Sequence, residues 1–141
     1  PSFDAENYNT NTPSGWSEGG GNAAASYTED YGGSKSGARH ATHWSSYAYT
    51  VLTFQKKTGL ANGLYTLRAW AKSGGGQKTC YMEAKNFGST SRTVNIPVSS
   101  TYQLIEIKDI NVTNGQCTIG FWSDANAGNW CYFDDVEFFK Q

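Results

Sequence analysis

The chain has 141 residues, and eleven Lys and Arg against twelve Asp and Glu leave a formal charge of −1. That length is one domain, 1–141, and the near-neutral balance gives no field for capturing nucleic acid or an anionic membrane. Aromatic residues make up 15% of the sequence, too many for a disordered segment, while no run approaches the ~20 apolar residues of a bilayer-crossing helix.

The sequence opens on Pro1-Ser2-Phe3-Asp4 with no charged-then-apolar leader, so a mature or excised module is expected. From residue 7 to 37 it is dominated by Asn, Ser, Thr and Gly, which reads as loop. Trp16, Tyr27 and Tyr31 inside that stretch favour a long loop of the domain over a free linker. No window reads as a helix. Runs with period-two alternation cover 47–57, 64–72, 78–86, 92–96, 102–112, 116–124 and 130–139, separated by turn signals such as Asn62-Gly63 and Asn114-Gly115. In the clearest strand Tyr65, Leu67, Ala69 and Ala71 form one face and Arg68, Trp70 and Lys72 the other; in the next, Cys80, Met82 and Ala84 share a face. Short alternating strands of this number predict an all-β fold, a β-sandwich of two antiparallel sheets.

Cys80, Cys117 and Cys131 show no metal-binding spacing and lie within strand-like runs, so buried thiols are expected ahead of a single disulfide with one free thiol. Motifs of hydrolases, metalloproteases and nucleotide-binding enzymes are missing. His40 and His43 lie near Trp44 and Ser45, but spacing supplies no third, orienting acid for a Ser/His arrangement. Binding of a neutral polyol suits the composition better. A sugar ring offers apolar C–H faces to a Trp or Tyr ring and a rim of hydroxyls to amides and charged groups. Such types gather at predicted strand ends and turns, which makes Arg39, His43, Trp44, Lys72, Gln77, Lys85, Asn86, Asn129 and Trp130 the candidate carbohydrate-binding residues. Trp16 reads as a loop anchor packed on the sandwich edge. The adjacent Asp134 and Asp135 should point to opposite faces unless a bulge intervenes, and the inward one then needs amides, an Arg or a calcium ion.

Several of these segments resemble a known family. Thr42-His43-Trp44-Ser45-Ser46 with Ala48-Tyr49, the run from Gly59 through Asn62-Gly63 to Trp70, the run from Val112 through Asn114-Gly115 to Gly120, and Asn129-Trp130 with Asp134-Asp135-Val136 carry the likeness. The chain resembles, from Trp16 to its end, a non-catalytic carbohydrate-binding module of family 61, found beside bacterial endo-β-1,4-galactanases. That resemblance implies a jelly-roll sandwich that binds β-1,4-galactan or a related galactose-containing plant polysaccharide. It also implies an appended glycoside hydrolase, a secreted, extracellular location, a monomer, and a structural calcium held by Asp135 with Asp4 or Glu6. Phe3-Asp4 stands where these modules commonly have Phe-Glu. A lectin-type adhesion domain and a small glycan-active enzyme are the alternative readings. Donor-rich turns at 43–45, 72–77, 85–86 and 126–130 lead to the expectation of a concave pocket built from loops.

Overall fold

The alternation becomes two packed layers in the computed structural model, which describes residues 2–141. The strands are β1 Ser17–Gly19, β2 Ser26–Glu29, β3 His40–Trp44, β4 Tyr49–Lys57, β5 Gly63–Ser73, β6 Thr79–Lys85, β7 Arg92–Asn95, β8 Gln103–Val112, β9 Cys117–Ala125 and β10 Trp130–Lys140. They form two five-stranded sheets, β1-β4-β9-β6-β7 and β2-β3-β10-β5-β8, whose strand pairs are antiparallel. A single 3-10 turn, Ala23–Ala25, is the one helical element among the described residues. The fold is the expected β-sandwich.

The core lies between the sheets. Leu67, Ala69 and Ala71 of β5 and Phe133 of β10 face Met82 and Ala84 of β6 and Ile119 and Phe121 of β9. Phe121 and Phe133 stack across the layers with ring centroids 3.9 Å apart. Trp16 stacks on Phe3 at 5.3 Å and is buried, so it anchors the N-terminal segment as expected. The three cysteines are free thiols, Cys117 and Cys131 buried and Cys80 partly so.

The N-terminal third departs from the sequence reading. The stretch read as one long loop contains β1, the 3-10 turn and β2, and β3 follows it. These strands escaped detection because their inward positions are polar. Ser26 and Thr28 of β2 and His43 of β3 are fully buried, with Ser26 Oγ 2.6 Å from Thr53 Oγ1. Polar residues on both faces erase the alternation that marks a strand.

The acidic pair sits at a bulge. The pairing of β10 with β5 shifts between Asp134 and Glu137, and Asp135 takes a left-handed φ of 49°. Asp134 is the buried member. Its carboxylate accepts the amides of Lys35 (3.1 Å), Ser36 (3.3 Å) and Asp135 (2.9 Å), so the 34–39 segment covers it. Burial still pushes its pKa up to about 6.

Candidate functional site

On β3, Thr42 and Trp44 point away from the core, because Ala41 and His43 point into it; on β10, Trp130 and Tyr132 do the same opposite Cys131 and Phe133. Register then brings these residues together. Trp44 pairs directly with Trp130, and Thr42 pairs with Tyr132 on one side and with Tyr27 of β2 on the other. The result is a depression of about 420 Å³ on the outer face of the second sheet, lined by Tyr27, Glu29, Tyr31, Thr42, Trp44, Trp130 and Tyr132.

Five of those seven residues are aromatic. Trp44 keeps 41% of its surface exposed and Tyr31 77%, which makes them the accessible rims. Trp130 lies 4.7 Å from Tyr132 at an interplanar angle of 42°, so the two rings are not coplanar. Adjacent turns hold them in place. Gln77 Nε2 donates to the Trp130 carbonyl at 2.9 Å, and Tyr49 Oη donates to the Asn129 carbonyl at 2.8 Å. Gly128 N donates to the Ser45 carbonyl at 2.8 Å, which ties the 126–129 turn to the end of β3. Gly74 lies directly beneath the Trp130 indole, where a Cβ would collide with Nε1.

The floor is polar. Glu29 is 8% exposed, and burial raises its pKa although the hydroxyls of Tyr27 and Thr42 face it. Thr42 Oγ1 is buried without a hydrogen-bond partner. Beside Glu29 in the register stands His40, its ring centroid 4.2 Å from that of Tyr132 and tilted by 41°; burial lowers its pKa to about 4, so it is neutral at pH 7. Lys72 stands outside this lining: its Nζ lies 4.7 Å above the Tyr102 ring and 5.3 Å from that of Tyr132, and it lines a separate depression with Ser34, Lys35 and Tyr102. The aromatic lining can stack the C–H face of a sugar on Trp44 or Trp130 while Glu29 and Thr42 take hydroxyls from below.

The candidate residues fare unequally. Trp44 and Trp130 line the depression, whereas Lys72 lies outside its lining, with its Nζ 5.3 Å from the Tyr132 ring. Gln77 and Asn129 act behind it: Gln77 holds the Trp130 main chain, and Asn129 Oδ1 accepts the Asn126 amide at 2.8 Å to close the turn. Four residues need correction or relocation. His43 is completely buried, with its ring nitrogens 2.8 Å from Ser123 Oγ and from Thr53 Oγ1. It is a core residue, because its odd position on β3 faces inward, and its buried Ser123 contact is closed to any substrate. Lys85 pairs with Glu83 at 3.0 Å and Asn86 bonds Thr118 at 3.5 Å, on the first sheet near the start of β9, whereas Trp130 follows the end of β9. They belong to the opposite end of the sandwich. Arg39 Nε donates to Asn9 Oδ1 at 3.0 Å and serves the N-terminal segment. The depression is built on strands, not on the donor-rich turns.

Tyr27, Glu29, Tyr31, Thr42 and Tyr132 were missing from the candidates. Thr42 and Tyr132 each stand two residues from a chosen Trp, so same-face alternation could have found them. Tyr27, Glu29 and Tyr31 lay in a stretch that carried no strand signal.

The acids proposed for calcium separate into two groups. Asp4 Oδ1 accepts the amides of Ala38 and Arg39, both at 2.8 Å, and its carboxylate fills the space where a Gly37 side chain would stand. Asp135 Oδ1 accepts the Ser36 hydroxyl at 2.6 Å. Both therefore clamp one segment, 36–39, and their hard oxygens suit calcium. At Glu6, Ser14 donates to Oε1 through both its amide and its hydroxyl, and Oε2 is buried without a hydrogen-bond partner. No group of three or more His, Cys, Asp or Glu side chains gathers for a metal among the described residues, so a cation would need other oxygens besides those of Asp4 and Asp135.

Known structures share this architecture. No protein-family model matches the chain. TmCBM61 in complex with β-1,4-galactotriose superposes with a TM-score of 0.77 over 91% of this chain and 90% of that one, at 20% identity. A family 16 carbohydrate-binding module gives 0.62 over 82% and 86% at 14% identity, and a CBM4 structure gives 0.60 over 99% and 97% at 18% identity. The fold is that of carbohydrate-binding modules. In sequence, the chain is 29% identical along its whole length to a 1,6-α-glucosyltransferase of Sporosarcina globispora, and it spans 12% of that protein.

Proposed function

We propose that this chain is a non-catalytic carbohydrate-binding module that binds β-1,4-galactan, or a related galactose-containing polysaccharide, on the outer face of β2, β3 and β10. The observation that carries this reading is the Trp44–Trp130 pair, side by side and accessible above a polar floor. The galactotriose complex of TmCBM61 supports the ligand, since that protein has the same fold over nearly the whole chain. A depression lined by tilted rather than coplanar rings suits a curved chain with axial hydroxyls better than a flat one such as cellulose. Catalysis is disfavoured by the lining itself. Glycoside hydrolysis uses two carboxylates across the scissile bond, and Glu29 is the single carboxylate in this depression.

A module of this kind keeps an appended catalytic domain near its substrate, and tethering makes even weak binding effective. A 12% share of a much longer glucosyltransferase supports that arrangement. The same relative favours a second ligand reading, an α-glucan, which also follows a curved path. A secreted location fits either polysaccharide. Asp4 and Asp135 would hold a structural calcium, whose positive charge would tie the N-terminal segment to β10 without touching the sugar. Calorimetric titration with β-1,4-galactotriose, isomaltotriose and cellotriose tests the ligand. Galactotriose should bind with a Kd on the order of micromolar to millimolar, as few contacts to a small neutral ligand allow. Binding of isomaltotriose alone would transfer the site to α-glucans, and binding of cellotriose alone would remove both readings.

A further inference from the structure

The floor of the depression has a property that the aromatic rim does not explain. Glu29 is buried on β2 without a cation: the ion pairs among the described residues are Arg68–Glu137 and Lys85–Glu83. The nearest basic side chain on this face, Lys72, lies over Tyr102 and Tyr132, and its Nζ is 3.5 Å from the Ser100 carbonyl. His40, next to Glu29 in the register, is neutral. Thr42, on the adjacent strand, offers a buried hydroxyl with no partner to the same space. A carboxylate that has hydroxyls but no cation beside it, next to a buried hydroxyl without a hydrogen-bond partner, leaves unmet hydrogen-bonding capacity on this floor, and a ligand that supplies donors fills it.

We propose that Glu29 and Thr42 determine the specificity of this site by requiring a neutral hexose ring with two free hydroxyl donors and by rejecting uronic acids. The inference rests on the depression being the sugar site. Two hydroxyls of one ring donate to the carboxylate oxygens of Glu29, or one donates to Glu29 and one pairs with Thr42 Oγ1. Hydrogen bonds to an ionised acceptor shielded by aromatic rings are the strong kind. A uronate brings a second negative charge to a carboxylate that has no cation to absorb it, a repulsion that discriminates as effectively as any attraction. The site thereby separates neutral galactan from galacturonan, which share the galacto ring configuration but differ in anomeric linkage as well as in the oxidation of C6.

The test uses whichever of β-1,4-galactotriose and isomaltotriose the wild-type chain binds, together with trigalacturonate and the monodeoxy methyl glycosides of the bound sugar. Glu29→Gln should weaken the neutral ligand on the order of tenfold or more, as expected for a lost hydrogen bond to a charged acceptor. One deoxy position should cost the wild type a similar factor and cost Glu29→Gln nothing. Trigalacturonate should fail on the wild type and gain affinity on Glu29→Gln. The melting temperature of Glu29→Gln should equal or exceed that of the wild type, because a buried charge is removed, which separates recognition from folding. Wild-type affinity in Glu29→Gln, alongside loss of binding in Trp44→Ala, would overturn the Glu29 assignment and leave the sugar site standing. Failure of the wild type to bind either neutral ligand would overturn both.

Discussion

Replacing Trp44 by Ala isolates the stacking contribution, because this ring faces outward from β3 and takes little part in the core. With 41% of its surface exposed, a Trp side chain that can bury up to ~250 Å² has roughly 100 Å² left for a ligand to cover. At ~25 cal/mol per Å² that area is worth about 2.5 kcal/mol if a sugar covers all of it, and about half that if a sugar covers one face. The Kd of the bound trisaccharide should therefore rise by roughly 10- to 70-fold. Isothermal titration at matched buffer and temperature measures the change, and a thermal melt beside it reports the fold. The melting temperature should move little, since the β3–β10 ladder does not depend on the ring. Trp44→Phe should recover part of the affinity, because a smaller π-face still stacks. An unchanged Kd in Trp44→Ala would remove the stacking assignment, because the exposed rim ring would then take no part in binding.

Four further outcomes are expected. Lys85→Ala combined with Asn86→Ala should leave sugar affinity within error of wild type, since both lie at the far end of the first sheet; a tenfold loss by titration would relocate the site. His43→Leu should lower stability by about 1–3 kcal/mol in a denaturant melt, because two buried hydroxyls each lose a ring-nitrogen partner, Thr53 keeping only Ser26 and Ser123 only cysteine sulfurs, without lowering the affinity of the folded fraction. For the wild type, the folded pKa values of His40 and His43 are lowered to about 4 and 3, so below pH ~6.5 the unfolded chain binds more protons and stability falls with pH; Asp134, raised to about 6, offsets one of them. Histidine ring-carbon NMR signals that titrate near pH 6.5 would contradict this. Calcium should raise the melting temperature and a chelator should reverse the rise, with Asp135→Asn abolishing the response and sugar affinity unchanged; identical melts in calcium and chelator would show that the amides of 38–39 and the Ser36 hydroxyl suffice.

The strands from β4 onward were readable because their inward positions are apolar. Leu67, Ala69 and Ala71 alternate with Arg68, Trp70 and Lys72 without interruption, and the turns Asn62-Gly63 and Asn114-Gly115 mark their limits. The edge formed by β1, β2 and β3 was not readable, because Ser26, Thr28 and His43 fill core positions and are satisfied by hydrogen bonds across the sandwich rather than by apolar packing. That edge carries half of the depression. Residue chemistry therefore located the two tryptophans but not their partners. The rule that donor-rich turns bind ligand placed Lys85 and Asn86 in the site, yet sequence distance gives no information on which end of a sandwich a turn occupies. The acidic pair was partly legible. A carboxylate satisfied by amides was foreseen as facing inward, but Asp134 shares the outer face of β10 with Trp130 and Tyr132 and is buried by the 34–39 segment, through contacts almost a hundred residues apart in sequence.

The most direct test of the account is chemical-shift mapping of the labelled chain during titration with β-1,4-galactotriose and, in parallel, isomaltotriose. Saturable shifts should concentrate on Tyr27, Glu29, Thr42, Trp44, Trp130 and Tyr132, including the indole N–H signals of both tryptophans, and should leave Asn86 and Thr118 unmoved. Saturable shifts confined to the first sheet, or none with either sugar, would contradict the claim that the outer face of β2, β3 and β10 is a carbohydrate-binding site.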